Sequence, residues 1–124
     1  MPDNEPAPIC AFAVSPDGIP QPIPLPTDLM GSARTEGYIW LHFDLGDPAF
    51  APWLARQLPM TVAMALVQPE TRPRCDRIEH GLGLNLRGVN MNPGAEADDM
   101  VSVRLWMTKG LIISARARKI WAVD

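Results

Sequence analysis

The chain has 124 residues, 47% of them hydrophobic and 20% charged, with a net charge of −3. That length suits one compact domain burying about two-thirds of the surface its unfolded chain exposes, and the acidic balance excludes the basic face that a nucleic-acid partner requires. No apolar run approaches the ~20 residues that cross a bilayer. The N-terminus lacks the basic and apolar regions of a signal peptide, and the two cysteines, Cys10 and Cys75, have neither zinc-finger nor redox spacing, so the expectation is a cytoplasmic chain with free, mostly buried thiols.

Residues 1–8 carry Pro2, Pro6 and Pro8 among acidic and small residues, the composition of a disordered terminus. A folded domain is expected over residues 9–124. Ile9 to Val14 is a short apolar run closed by Ser15-Pro16-Asp17-Gly18, which reads as a strand and a tight turn. The proline-rich stretch from Ile19 to Pro26 is restricted to an extended path or an irregular edge strand, because each proline lacks a backbone donor. Gly37 to Leu45 is rich in aromatic and β-branched residues and apolar on both faces, the pattern of a central strand covered on both sides. Asp47-Pro48 signals a helix start, and Phe50, Trp53, Leu54 and Leu58 form one stripe of the helix that follows. Pro59 ends it, and Thr61 to Val67 begins a second short helix before Pro69. Beyond Pro73 the segments Arg74–Glu79, Leu82–Val89, Met100–Met107 and Leu111–Arg116 read as strands, with Thr108-Lys109-Gly110 a tight reversal. The C-terminal half is thus an antiparallel meander. The fold class is α/β (α+β): a mixed, largely antiparallel sheet with short helices packed on it.

Candidate sites are few. His42 stands mid-strand between Leu41 and Phe43, where a histidine is more often packed than catalytic. In an extended strand Asp76 and His80 would share a face able to reach a zinc ion, but a stable zinc site needs about four donors. Glu96, Asp98 and Asp99 form an acidic loop whose carboxylates suit a divalent cation if a neighbouring subunit completes the shell; solubility is the plainer reading of such a cluster. The serines lack a G-x-S-x-G elbow, and no pair of histidines or dedicated acid is placed to activate one. Gly81, Gly83 and Gly88 fall within strands, as bulges or close-packing positions. The arginines of the strand-rich half are expected to pair with carboxylates of neighbouring strands.

Glu70-Thr71-Arg72-Pro73-Arg74, then Leu82–Val89, the acidic loop, Val101–Met107 and Leu111–Arg116, preceded by Trp40-Leu41-His42-Phe43-Asp44 in the manner of W-x-H-x-D, resemble the CorA superfamily and, more narrowly, its ZntB branch. The resemblance covers residues 37–124 in order. It implies the N-terminal cytoplasmic α/β domain of a divalent metal-ion transporter, with zinc the cargo in that branch. In full-length relatives long helices and two membrane spans follow, and the protein assembles as a pentamer on the cytoplasmic side of the bacterial inner membrane. No stalk helix, membrane span or Gly-Met-Asn pore signature occurs in this sequence, so the expectation is a domain truncated before them, touching the membrane only through that missing region.

The functional expectation is a regulatory and assembly domain without catalysis or transport of its own. It holds no tight cofactor and meets zinc or magnesium only as a transported or regulatory ion. Two alternatives stay open: a purely structural head that binds no ion, and a small zinc-dependent hydrolase using Cys75, Asp76 and His80.

Overall fold

A computed structural model describes residues 5–67, 74–89 and 100–118. The chain runs β1 (Cys10–Val14), β2 (Pro20–Pro22), β3 (Tyr38–Asp44), α1 (Phe50–Gln57), α2 (Met60–Val67), β4 (Arg74–Ile78), β5 (Gly81–Val89), β6 (Met100–Thr108) and β7 (Leu111–Arg118). The strands form one seven-stranded sheet in the order β2-β1-β3-β7-β6-β5-β4. All neighbours are antiparallel except β3 and β7, which run parallel from Ile39 opposite Leu111 to Asp44 opposite Arg116. The α+β class and the C-terminal meander therefore stand as expected. β2, with Pro20 and Pro22, lies at an edge, where a missing N–H costs no ladder bond.

Alternation along the strands sorts side chains to two faces. On one, Ile39, Leu41 and Phe43 of β3 and Leu111, Ile113 and Ala115 of β7 are buried beneath Phe50, Trp53 and Leu54 of α1 and Val62, Ala63 and Leu66 of α2. Phe43 stacks on Phe50 at 4.6 Å between ring centroids and meets Trp53 at 5.3 Å, a geometry that adds to the burial of the rings. The two short helices thus form a roof. The other face of β3 carries Tyr38, Trp40, His42 and Asp44 in the pattern exposed, half-buried, half-buried, exposed. This departs from the expectation of a strand covered on both sides: among the described residues the helices roof one face only.

Local chemistry fixes the connections. The Asp47 carboxylate accepts from the Ala49 N–H at 3.0 Å, but in a turn ahead of α1, so Pro48 lies before the helix and not at its first position. The other Asp47 oxygen accepts from the Ala7 N–H at 3.0 Å, and Pro6 is buried. Residues 5–8, expected to be disordered, are held against this end of the sheet. The Pro59 carbonyl accepts from Val62 and Ala63 at the start of α2, and Gln57 clamps the preceding loop by bonding Leu29 N–H and Thr27 C=O.

The β6–β7 reversal is held by Gly110, whose φ of +79° favours glycine. Its carbonyl accepts from Arg34 N–H at 3.1 Å and Ile39 N–H at 3.0 Å, and a Cβ there would strike the Arg34 backbone. Gly18 has a similar φ of +83° with nothing within 4 Å. Gly110→Ala is therefore expected to cost about 2–3 kcal/mol and Gly18→Ala about 1 kcal/mol. Urea midpoints at constant m-value measure both, and equal costs would contradict the close approach.

Candidate functional site

β3 and β7 together build the most polar cluster of the unroofed face. The parallel register sets His42 beside Ser114, and the Ser114 hydroxyl lies 2.7 Å from His42 Nδ1 and 2.9 Å from Trp40 Nε1. The indole can only donate, so Ser114 Oγ accepts from Trp40. With His42 neutral and its proton on Nε2, the hydroxyl donates to Nδ1. Ser114 is 2% exposed although its face is unroofed; the Trp40 and His42 rings lie 5.8 Å apart, and Phe12 stacks on Trp40 at 6.4 Å.

The electrostatics follow from that placement. Burial pushes the imidazole pKa below its ordinary value, the Arg116 guanidinium pushes the same way, and the Asp44 carboxylate opposes them. Burial raises the pKa of the neighbouring Cys10 thiol. Protonating His42 would also turn Nδ1 into a donor toward an oxygen whose own proton must then find another acceptor.

The sequence offers no pair of histidines or dedicated acid for a serine, and the bond between His42 and Ser114 was not foreseen. The two are 72 positions apart, and only the parallel register joins them. As chemistry, the pair is a locked structural bond more than a nucleophile, because the hydroxyl is already engaged on two sides and shielded.

A second feature is a groove of about 600 Å³ between α2 and the β4–β5 edge, lined by Thr61, Met64, Asp76, Glu79, Asn85 and Trp106 among others. Thr61 Oγ1 donates to Glu79 at 2.9 Å, and Trp106 Nε1 donates to the Ile78 carbonyl at 2.9 Å. Asn85 and Arg104 are buried nearby; they are register partners on the roofed face, and burial pulls the Arg104 pKa down from its ordinary value.

The predicted ligands do not share a face. β4 ends at Ile78, and Glu79 and His80 form a turn with φ of 49° and 68°, so the strand face that was to carry both Asp76 and His80 stops short of His80. Cys75, next to Asp76, projects to the opposite face and is exposed, where a buried thiol was expected. No group of three or more His, Cys, Asp or Glu able to hold a metal occurs among the described residues. Glu96, Asp98 and Asp99 lie outside them.

What the geometry defines is an α+β domain with a mixed sheet, helices on one face and a hydrogen-bonded polar cluster on the other. Residues 35–124 match the family described as CorA-like Mg2+ transporter protein, and the chain belongs to that family, on its ZntB-like side. It is 45% identical over 93 residues to the zinc transport protein ZntB of Pectobacterium atrosepticum, covering 73% of this chain and 28% of that protein. The ZntB of Yersinia enterocolitica is 38% identical over 94 residues, 74% of this chain and 29% of the relative. The chain thus spans less than a third of these curated relatives.

Among solved structures, the full-length CmaX protein aligns with a TM-score of 0.74 at 33% identity, covering 96% of this chain and 37% of that one. The ZntB cytoplasmic domain of Vibrio parahaemolyticus aligns with a TM-score of 0.65 at 25% identity, covering 95% and 46%. No helix of the described residues is long and apolar enough to cross a membrane.

A pH prediction follows from His42. Its pKa is lowered in the fold, so the unfolded chain binds more protons below about pH 6.5 and stability falls as pH drops through that range. The difference in urea midpoint between the parent and His42→Gln is expected to narrow on going from about pH 8 to about pH 5.5. A pH-independent difference for His42→Gln would show that the imidazole does not titrate against this environment.

Proposed function

We propose that this chain is the cytoplasmic head domain of a CorA-type divalent-cation transporter, with zinc the favoured cargo, and that it serves assembly and cation response, not conduction. The observation that carries this reading is the agreement of a 45% identity to a zinc transport protein over 73% of the chain with a fold match to a ZntB cytoplasmic domain. The parent oligomer, a pentamer by the family resemblance, meets the membrane through regions that the longer relatives carry. Zinc or magnesium enters as a transported or regulatory ion, and no tight cofactor is required.

The acidic loop Glu96, Asp98 and Asp99 is the candidate for cation response, because carboxylates from adjacent copies repel until a divalent ion relieves them. The hydrolase alternative has weaker support: Cys75 and Asp76 project to opposite faces of β4 and His80 sits in a turn, so the three do not converge.

Two measurements test the proposal. A chimera in which these residues replace the matched part of the Pectobacterium atrosepticum protein should keep zinc transport in cells; a folded, membrane-inserted chimera without transport would overturn the head-domain reading. Thermal melts after EDTA, with zinc or magnesium titrated in, should show a saturable rise, because an ion that binds only the folded chain stabilises it. The rise should vanish in the Asp98→Ala, Asp99→Ala double variant. No rise with either ion would leave a purely structural head.

A further inference from the structure

We infer that β4 is a docking edge for a second copy of this chain: the two β4 strands pair antiparallel with Cys75 opposite Cys75 and Arg74 opposite Asp76, joining two seven-stranded sheets into one. The inference goes beyond the head-domain reading and does not depend on it.

The two edges of the sheet differ. β2 presents Pro20 and Pro22, and all its residues are exposed; each proline removes the N–H that a further strand would need. β4 is Arg-Cys-Asp-Arg-Ile, with no proline. It pairs with β5 in unbroken register from Arg74 opposite Asn85 to Ile78 opposite Gly81, so no bulge twists it away. Cys75, Asp76 and Arg77 are exposed. No strand among the described residues pairs with its outer side, and such an edge is a template for strand addition.

The hairpin sets which backbone groups face outward. Glu79 and His80, with φ of 49° and 68°, form a two-residue loop of the I′ kind, which closes on a bonded pair, here Ile78 and Gly81. Bonding alternates along an antiparallel ladder. Arg77 and Cys75 therefore turn their N–H and C=O groups away from β5.

Symmetry and charge then select one register. Two identical edges that pair antiparallel are related by a two-fold axis normal to the sheet, because that axis keeps paired side chains on one face. One residue must then meet its own copy. At Arg74, Asp76 or Arg77 it would face a like charge, which destabilises the pair. At Ile78 the left-handed turn of Glu79 and His80 would have to continue the ladder. Only Cys75 is left. Centring on it sets Arg74 opposite Asp76 twice, once on each side of the axis, so the charges that guard the edge against an indifferent strand match it to a second copy. Cys75 and its copy then stand about 5.5 Å apart at Cα as a bonded pair, inside the range a disulfide spans. Under the proposed function, neighbours within one pentamer are related by its fivefold axis, so this two-fold contact joins heads of separate oligomers.

The thiol supplies the readout. In the Cys10→Ser chain Cys75 is the sole cysteine, and diamide converts two such thiols to one disulfide by taking up their two protons and two electrons. Met64→Cys in a Cys10→Ser, Cys75→Ser chain, exposed on α2, reports random collision.

Edge pairing predicts a disulfide dimer forming at least about tenfold faster through Cys75 than through the control, since pairing raises the effective thiol concentration. Arg74→Asp and Asp76→Arg should each slow the Cys75 dimer about tenfold, because each sets two like-charge pairs across the axis. An equimolar mixture of the two variants should recover the parent rate, its disulfide joining one chain of each kind. The double swap, Arg74→Asp with Asp76→Arg in one chain, should recover it as well. A Cys75 rate equal to that of the control overturns the edge pairing. Failure of both the mixture and the double swap to outpace the single variants overturns the register. None of these outcomes bears on transport by the chimera, so the head-domain reading stands or falls separately.

Discussion

The parallel pairing of β3 with β7 is the constraint on which the rest of the structure depends. It joins residues 39–44 to residues 111–116, and those segments can lie parallel only if the intervening chain crosses over. That crossover contains α1, α2 and the β4–β5–β6 meander, which returns the chain to the middle of the sheet. Every face assignment follows from this one register. Shifting it by a single residue would drive Leu111 and Ile113 out of the core and send Ile112 and Ser114 into it.

The register also accounts for the chemical difference between the faces. On the roofed side it aligns Ile39, Leu41 and Phe43 with Leu111, Ile113 and Ala115, giving α1 and α2 an apolar floor; each large side chain buried there stabilises the fold by about 1.5–3 kcal/mol. On the other side it aligns Trp40 with Ile112 and His42 with Ser114, so a buried hydroxyl and an imidazole sit within a plain of half-buried apolar groups. Toward β5 and β6 the roofed face becomes polar, with Asn85 and Arg104 buried, and the α2 groove opens over that region.

Strand and helix positions were legible because turn chemistry and periodicity are local. Pro59 separates two helices, Gly110 reverses the chain, and the proline tract yields an edge strand, all within a few residues of their signals. What depends on distant pairing was not legible. Ser114 looked inert because its partner is 72 positions away, and the order of the meander says nothing about which strand β7 will join. Cys75 was expected to be buried on residue type alone, but it lies on β4, one of the two edge strands. β3 was read as apolar on both faces and covered on both sides, but only Ile39, Leu41 and Phe43 are buried, and its other face alternates Tyr38, Trp40, His42 and Asp44. Asp76 and His80 were placed on one face by assuming an extended strand, and the left-handed turn at Glu79 and His80 breaks that periodicity. The acidic loop of Glu96, Asp98 and Asp99 lies outside the described residues.

A domain with one roofed and one unroofed face has conditional stability. Whatever binds the unroofed face binds the folded chain and not the unfolded one, so docking and folding are linked, and each strengthens the other by the same free energy. Under the proposed function this linkage runs in both directions.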